Sequence, residues 1–277
     1  MNKNFILNFT PTSMIPTREM TPHVPVTPEE IIQQILEVSN LGVNMVHLHA
    51  RNLHNTKPAY EKEIYAEIIS GIRKKNEKII ITLSTSGRDF AEFDKRSDCL
   101  DLDGDLKPDF ASLTLSSLNF NKQASINSPQ MIQDLARKMM DKGVKPELEV
   151  FDLGMINYAK YLIKQNLIKP PYYFTLILGN IACAQADLLS LGLMIRELPE
   201  GSIWSAGGIG NFQLKMNAMA IMAGGGVRIG LEDNICYYKE RTRLATNYEL
   251  VERIVDITNV MEIQPYTPKE ARDVLGL

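Results

Sequence analysis

The feature that most constrains the fold is an alternation of short apolar runs with longer segments of helical periodicity along all 277 residues. Runs of this kind predict strands, and the predicted strands are Asn4 to Asn8, Val43 to Arg51, Lys78 to Ser84, Phe110 to Leu115, Pro146 to Phe151, Tyr173 to Leu178, Ser202 to Ala206 and Val227 to Leu231. Strands alternating with helices imply a parallel sheet with right-handed crossovers, and eight units favour a closed barrel over an open doubly wound sheet. We therefore predict an α/β protein with a single (β/α)8 TIM barrel domain over residues 1–277.

The helices between these strands carry recognisable start signals. Thr27-Pro28-Glu29-Glu30 places a threonine at the N-cap, proline at the first helical position and glutamate at the third, and this helix should end near Gly42. The remaining helices are predicted at Tyr60 to Lys75, Pro129 to Lys142, Ile156 to Gln165, Ala184 to Arg196, Phe212 to Met222 and, last in the chain, Asn247 to Val260. Ser84 to Pro108 lacks periodicity and predicts an extended loop with about one helical turn, and Asn52 to Pro58 predicts a polar loop.

Composition argues against several classes of function. A hydrophobic content of 44% and a charged content of 23% are typical of a soluble globular protein. A net charge of −3 gives no electrostatic reason to expect nucleic acid or an anionic membrane as a partner. The apolar run at the N-terminus is too short for a signal peptide, and Cys99, Cys183 and Cys236 are widely spaced, as is typical of free thiols in a reducing compartment. We expect a cytoplasmic enzyme.

The segment Val43 to Arg51 carries the clearest chemical signal. Side chains alternate along a strand, so His47 and His49, two of only four histidines, point the same way. Glu232 ends strand 8, which lies beside strand 1 and near strand 2 in a closed barrel, so all three side chains should meet at the barrel mouth. Two imidazoles and one carboxylate leave a metal position open, as in catalytic zinc sites. The alternative is that the histidines are structural and hydrogen-bonded to carboxylates.

Strands 8 and 5 supply further charged side chains to the same end of the barrel. Alternation in strand 8 directs Arg228 and Glu232 inward, and a buried arginine needs an anion, either a neighbouring carboxylate or a substrate carboxylate. Asp233 follows and should lie at the rim, where it would act as a general base or orient one. Glu147 and Glu149 share a face of strand 5, where they would support a metal ligand, pair with Arg228 or form a purely structural ion pair.

Polar residues at the ends of strands 3, 4 and 7 complete the predicted site. The hydroxyls of Ser84 and Thr114 would hydrogen-bond a carboxylate or carbonyl, although such residues are equally typical of loop starts. Gly208 belongs to Gly207-Gly208-Ile209-Gly210-Asn211, at the face where barrels often bind phosphate through backbone N–H groups. We predict Ser84, Thr114, Glu149 and Gly208 as substrate-binding residues. Gly224 to Gly226 lies at the opposite face and predicts only a tight turn.

Six segments, in this order, resemble the β-keto acid cleavage enzyme family over nearly the whole chain. The segments are Thr27-Pro28-Glu29-Glu30, His47-Leu48-His49-Ala50-Arg51, Leu83-Ser84-Thr85-Ser86-Gly87, Ala111-Ser112-Leu113-Thr114, Pro146-Glu147-Leu148-Glu149-Val150-Phe151-Asp152 and Val227-Arg228-Ile229-Gly230-Leu231-Glu232-Asp233-Asn234. The family comprises zinc-dependent (β/α)8 barrels that form homo-oligomers, commonly tetramers. They convert a β-keto acid and acetyl-CoA into acetoacetate and a new CoA thioester.

The resemblance implies roles for individual residues and a small-molecule partner. It implies one Zn²⁺ per chain, acetyl-CoA as co-substrate, and a retro-Claisen route that yields the products. The implied residues are the zinc ligands His47, His49 and Glu232, the base Asp233 with its support Arg228, and the substrate contacts Ser84 and Thr114. A bound metal would polarise the β-keto oxygen and stabilise the charge that develops there.

Some positions depart from the family pattern, and other functions stay open. Phe9 to Pro16 lacks the acid with which the type member of that family binds an amino-bearing substrate, although Glu19 is near. The loop Arg88 to Pro108 is longer than usual, and Gly208 to Asn211 lacks an expected basic residue. The alternatives are a metal-dependent barrel hydrolase or lyase of a small carboxylic acid, and a barrel that binds metal and acid without turnover. The absence of histidines after His54 argues against the hydrolase.

Overall fold

The protein folds around a closed barrel of parallel strands in the computed structural model, which describes residues 4–52 and 54–277. The barrel strands are β1 (Leu7–Phe9), β2 (Met45–Leu48), β3 (Ile80–Leu83), β4 (Phe110–Thr114), β5 (Lys145–Val150), β6 (Tyr173–Leu178), β7 (Ile203–Gly208) and β8 (Gly226–Ile229). Each pairs with its neighbours in chain order, and β8 closes the barrel against β1. The predicted (β/α)8 barrel is confirmed. Residues 1–3 of the N-terminal run and Leu53 of the predicted polar loop lie outside the described residues.

Helices surround the barrel, and several begin at the predicted signals. They are α1 (Pro28–Ser39), α2 (Lys62–Arg73), α3 (Phe93–Ser97), α4 (Pro129–Lys142), α5 (Leu153–Lys164), α6 (Leu188–Glu197), α7 (Gln213–Met222), α8 (Asn247–Val260) and α9 (Pro268–Leu275). Thr27 caps α1, because its side chain accepts the Glu30 N–H while the Glu30 carboxylate accepts the Thr27 N–H. No helix in the described part of the chain is long and apolar enough to span a bilayer.

The two ends of the chain differ from prediction. The predicted strand Asn4 to Asn8 divides, because Asn4–Phe5 pairs outside the barrel with Gln264–Pro265 and only Leu7–Phe9 joins it. The helix predicted at Asn247 to Val260 is confirmed as α8, but it is not the last in the chain, since α9 follows. Its residues Ala271 and Leu275 pack on side chains inside the N-terminal end of the barrel, namely Ile6, Met45, Ile80, Phe110 and Tyr173. The apolar face of α9 has a partner only once the barrel has closed.

One loop prediction also needs correction, and two short strand pairs were not predicted. Ser84 to Pro108 contains α3 and two 3₁₀ turns, Asp98–Asp101 and Gly104–Leu106, and not one helical turn. Short antiparallel pairs join Ala50–Arg51 to Pro58–Ala59, and Leu118–Asn119 to Ala124–Ser125. Two-residue strands are too short to show a period of two, so the sequence pattern does not reveal them.

The barrel interior contains a polar layer beneath its C-terminal mouth. The Asn8 amide donates a hydrogen bond to Glu147 Oε1 at 2.8 Å, and the Thr175 hydroxyl donates to the same oxygen at 2.6 Å. The Tyr173 hydroxyl, also buried, donates to Ser205 Oγ at 2.9 Å. These inward residues from four strands fix the position of the Glu147 carboxylate, and apolar residues on the outward faces of the strands pack against the helices.

Candidate active site

A cavity of about 670 Å³ opens at the C-terminal end of the barrel. The predicted site residues that line it are His49, Ser84, Thr114, Glu149, Arg228, Glu232 and Asp233. His47 lies just below, with 1% of its surface exposed. Strand ends and the loops that follow them supply these side chains, as is usual in barrels of this fold.

His47, His49 and Glu232 converge although they are far apart in sequence. Each offers one ligand atom within 4.8 Å of those of the other two, and His49 Nε2 lies 3.2 Å from Glu232 Oε1. The chain turns sharply before Glu232 at Gly230, whose φ is +152°. A Cβ at Gly230 would collide with the backbone oxygen of Thr10, so the close approach of these two segments requires glycine here.

The two histidines differ in their surroundings. The Nδ1 atom of His47 lies 2.6 Å from Glu147 Oε2, which leaves its Nε2 as the nitrogen not engaged by Glu147. Burial lowers the pKa of His47, but the charges of Glu147 and Glu232 outweigh this effect and raise the pKa to about 9. Burial lowers the pKa of His49 and outweighs the opposing charge of Glu232, so His49 is held neutral.

The guanidinium of Arg228 lies between three carboxylates of the cavity. Its Nε donates to Asp233 Oδ2 at 2.9 Å, its Nη2 donates to Glu232 Oε1 at 2.6 Å, and its Nη1 lies 3.6 Å from Glu149 Oε1. Burial lowers the pKa of Arg228, but these carboxylates together raise it well above its ordinary value. Asp233 was expected at the rim, but its side chain is only 5% exposed because Arg228 draws it inward. The arginine therefore holds two carboxylates in fixed positions.

The predicted substrate-binding residues occupy different places. Ser84 Oγ accepts the Ser86 N–H at 3.2 Å, which leaves its hydroxyl proton free to donate into the cavity. The Thr114 hydroxyl donates to Glu149 Oε2 at 2.8 Å, so its proton is already engaged. Gly208 does not line the cavity in the structure. It packs against the backbone of Phe212, where a Cβ would not fit, so the loop turns Ile209 and Gly210 toward the cavity instead.

Comparison with known proteins identifies the family of the chain. The sequence profile of the beta-keto acid cleavage enzyme family matches residues 4–277. The chain belongs to this family. The match confirms the predicted resemblance and an enzyme of this kind, and it favours β-keto acid cleavage over the hydrolase and the non-catalytic alternatives.

Relatives of the chain carry different substrate names. The 3-keto-5-aminohexanoate cleavage enzyme of Fusobacterium nucleatum is 36% identical over 264 residues, 94% of this chain and 93% of that protein. The 3-oxoadipate:acetyl-CoA acetyltransferase of Cupriavidus necator is 32% identical over 280 residues, 100% of this chain and 96% of that protein. The apo structure of ObcA superposes with a TM-score of 0.82 at 21% identity, and the match covers 92% of this chain and 66% of that one. This last likeness supports the fold.

Several residues that line the cavity could not be predicted from the sequence. Arg88, Lys122 and Arg241 line the cavity from loops that follow β3, β4 and β8. Arg241 Nη1 donates to Asn211 Oδ1 at 3.3 Å, so a basic side chain reaches the β7 loop, where the sequence alone lacks one. The only sequence signal for Arg88 is its place shortly after Ser84, and nothing in the sequence marks Lys122 or Arg241.

Proposed function

We propose that this protein transfers acyl groups between a β-keto acid and acetyl-CoA through a zinc-dependent retro-Claisen route. The products are acetoacetate, built from the acetyl group and the substrate's terminal CH₂–COO⁻ unit, and the CoA thioester of the remaining acyl group. The observation that carries the proposal is the convergence of His47, His49 and Glu232 in the same cavity as the Arg228–Asp233 pair.

The residues present fit a divalent metal. Glu232 Oε2 is buried and has no hydrogen-bond partner among the described residues, which leaves one carboxylate oxygen for a cation. Two imidazoles and a carboxylate are a ligand set of catalytic zinc sites, and Glu147 would fix the orientation of His47. When bound, Zn²⁺ would act as a Lewis acid toward the keto oxygen. Only a neutral imidazole binds a metal ion. Metal binding at His47 must therefore displace the proton on Nε2, while Nδ1 keeps its proton toward Glu147.

Asp233 suits the role of general base. Burial and the nearby charge of Glu232 raise its pKa, although Arg228 opposes them, and a raised pKa makes a carboxylate a stronger base. Oδ2 accepts from Arg228 Nε, and Oδ1 has no hydrogen bond from any described residue. We assign to Oδ1 the removal of a proton from the carbon between the two carbonyl groups of the β-keto acid. Arg228 holds the carboxylate in place for this transfer.

Ser84 and the Thr114–Glu149 pair would orient the substrate. The free hydroxyl proton of Ser84 can donate to the substrate carboxylate. Burial raises the pKa of Glu149 despite the nearby charges of His47 and Arg228. A protonated Glu149 could donate to Thr114 and so release the threonine hydroxyl for the substrate.

Among the described residues, the loop after β1 brings no acidic side chain into the cavity that would favour an amino-bearing substrate. The loop after β1 contributes Ser13, Met14, Ile15 and Pro16 to its lining, while Glu19 is exposed and lies outside it. We therefore infer that the acyl substituent carries no amino group.

Assembly and compartment complete the proposal. We propose a homotetramer, supported by the family resemblance and by apolar side chains at the start of α6, where Leu188 and Leu189 are 70% and 73% exposed. The proposed compartment is the cytoplasm, supported by three cysteines that remain free thiols. Light scattering on the purified protein would measure the mass of the assembly.

Metal content and turnover test the proposed chemistry. We expect about one zinc per chain in the wild type and its loss in His47→Ala, measured by elemental analysis. Asp233→Asn should keep the metal and lose about 10²- to 10⁴-fold in kcat for acetoacetate formation, because only the base is removed. A wild type that takes up no zinc would refute the metal site, and a fully active Asp233→Asn would refute the assigned base.

A further inference from the structure

A cationic side chain without a close anion lies in the wall of the active-site cavity. Arg88, in the loop after β3, lines the same cavity as Ser84 and Glu232. Within residues 4–52 and 54–277 its guanidinium forms neither an ion pair nor a side-chain hydrogen bond. The carboxylate of the adjacent Asp89 does not pair with Arg88, and its Oδ1 accepts a hydrogen bond from the Gln123 amide at 3.2 Å instead. The guanidinium N–H groups of Arg88 are therefore available to donate hydrogen bonds to a ligand in the cavity.

The surroundings of Arg88 make an unpaired charge costly. Burial lowers its pKa, and the more distant carboxylates of Glu232 and Asp89 offset this only in part. A guanidinium that has lost water without gaining an anion is unfavourable, so a ligand that brings a negative charge to this point would gain binding free energy.

Aromatic packing holds the guanidinium in one place. Its Cζ lies 3.6 Å from the centroid of the Phe120 ring, and Phe120 packs edge-on against Phe151 with centroids 5.9 Å apart. Stacking uses the face of the guanidinium and leaves the N–H groups in its plane free. A fixed planar fork of this kind matches the two oxygens of a carboxylate.

The position of Arg88 separates it from the groups that would hold the reacting end of the substrate. Ser84 and Thr114 lie where β3 and β4 end, whereas Arg88 is held against the hairpin Leu118 to Ser125. We infer that Arg88 binds a second anionic group at the far end of the acyl substituent, so the substrate is a β-keto dicarboxylic acid. The inference rests on the proposed function, and it adds the class of substrate.

The phosphates of CoA are another possible source of negative charge. Lys122 and Arg241 also line the cavity and are exposed, which suits a phosphate-bearing cofactor that enters from solvent. Arg88 is less exposed than either, and the charges of Glu232 and Glu149 reach it without forming an ion pair. We therefore assign Arg88 to the acid and expect the two exposed residues to be nearer to CoA.

Steady-state kinetics with two acids of equal length test the assignment. 3-Oxoadipate and 3-oxohexanoate differ only in a terminal carboxylate or methyl group. Arg88→Gln should lower kcat/KM for 3-oxoadipate about 10- to 100-fold, as expected for a lost charge-assisted hydrogen bond. It should change kcat/KM for 3-oxohexanoate and KM for acetyl-CoA by less than about threefold. Arg88→Lys keeps the charge without the planar fork and should give an intermediate loss.

Two controls separate the possible outcomes. Arg137→Gln removes an arginine on the exposed face of α4 and should leave both acids unaffected. An equal loss with both acids, together with a higher KM for acetyl-CoA, would overturn the assignment in favour of CoA. A kcat/KM that Arg88→Gln leaves unchanged for both acids would overturn it altogether.

A binding measurement keeps the inference separate from the proposed reaction. Calorimetric titration should show that adipate binds the wild type more tightly than hexanoate, and that Arg88→Gln removes most of this difference. If no β-keto acid is turned over but the adipate preference depends on Arg88, the proposed reaction fails and the anion subsite stands. Equal binding of both acids by the wild type would refute the subsite.

Discussion

Replacing Glu147 by glutamine should weaken metal binding without any change to a proposed metal ligand. Oε1 of Glu147 accepts from Asn8 Nδ2 at 2.8 Å and from Thr175 Oγ1 at 2.6 Å, whereas Oε2 faces His47 Nδ1 at 2.6 Å. The two donors at Oε1 favour the glutamine carbonyl there, which turns its NH₂ group toward His47. The His47 proton must then move to Nε2, the nitrogen that would hold the metal.

The size of the effect follows from this conflict. To restore a free Nε2, the glutamine amide must flip and place its NH₂ group against the Asn8 amide, which costs about 1–3 kcal/mol in unmade hydrogen bonds. We therefore expect zinc affinity about 10- to 100-fold below that of the wild type, or about 1.4–2.8 kcal/mol. Competition with a chromophoric zinc chelator measures this directly and needs no turnover.

The matched control is Glu197→Gln, the same chemical change at an exposed carboxylate on α6 that pairs with Lys160. It should leave zinc affinity unchanged, and circular dichroism should show that both variants are folded. A folded Glu147→Gln that binds zinc within about threefold of the wild type would refute the role of Glu147 in orienting His47.

Two further predictions concern backbone geometry and pH. Gly230→Ala should lower the free energy of unfolding, measured in urea, by at least about 2 kcal/mol and should also lower zinc affinity, because the new Cβ collides with the Thr10 backbone. The control is Gly104→Ala, because Gly104 has a φ of +59° and open space around it, so this change should lower the free energy of unfolding by only about 1 kcal/mol. An equal loss of unfolding free energy in the two variants would contradict the collision at Gly230. Burial raises the pKa of Cys99 to about 12. The contribution of the protonated thiol to the free energy of unfolding is therefore complete below about pH 9 and is lost as the pH rises toward 12. In urea unfolding, Cys99→Ala should flatten this alkaline decline by up to about 1.4 kcal/mol per pH unit, and identical slopes would refute the role of the thiol.

The barrel and much of the site follow from local sequence patterns. A period of two places His47 with His49 and Glu147 with Glu149 on shared faces, and this constraint acts over only two residues. The capping box at Thr27 is also local, since all of its hydrogen bonds lie within one helical turn. Such patterns determine secondary structure and the inward direction of the polar side chains.

Contacts between distant parts of the chain lie beyond such patterns. His47 meets Glu147 across 100 residues and His49 meets Glu232 across 183, so which nitrogen faces which oxygen depends on barrel closure. The inward position of Asp233 depends likewise on the charge of Arg228.

Local sequence patterns predict the (β/α)8 barrel and direct His47 and His49 to one face of their strand, because alternation and helix caps are local properties. Only in the folded protein does α9 pack on the N-terminal end of the barrel, Gly208 contact Phe212 and Arg88 stack on Phe120 within the cavity. Each of these depends on the shape of a neighbouring surface that exists only after the strands have closed into a barrel. The physical reason is that packing and charge pairing act through space, whereas sequence patterns record only neighbours along the chain.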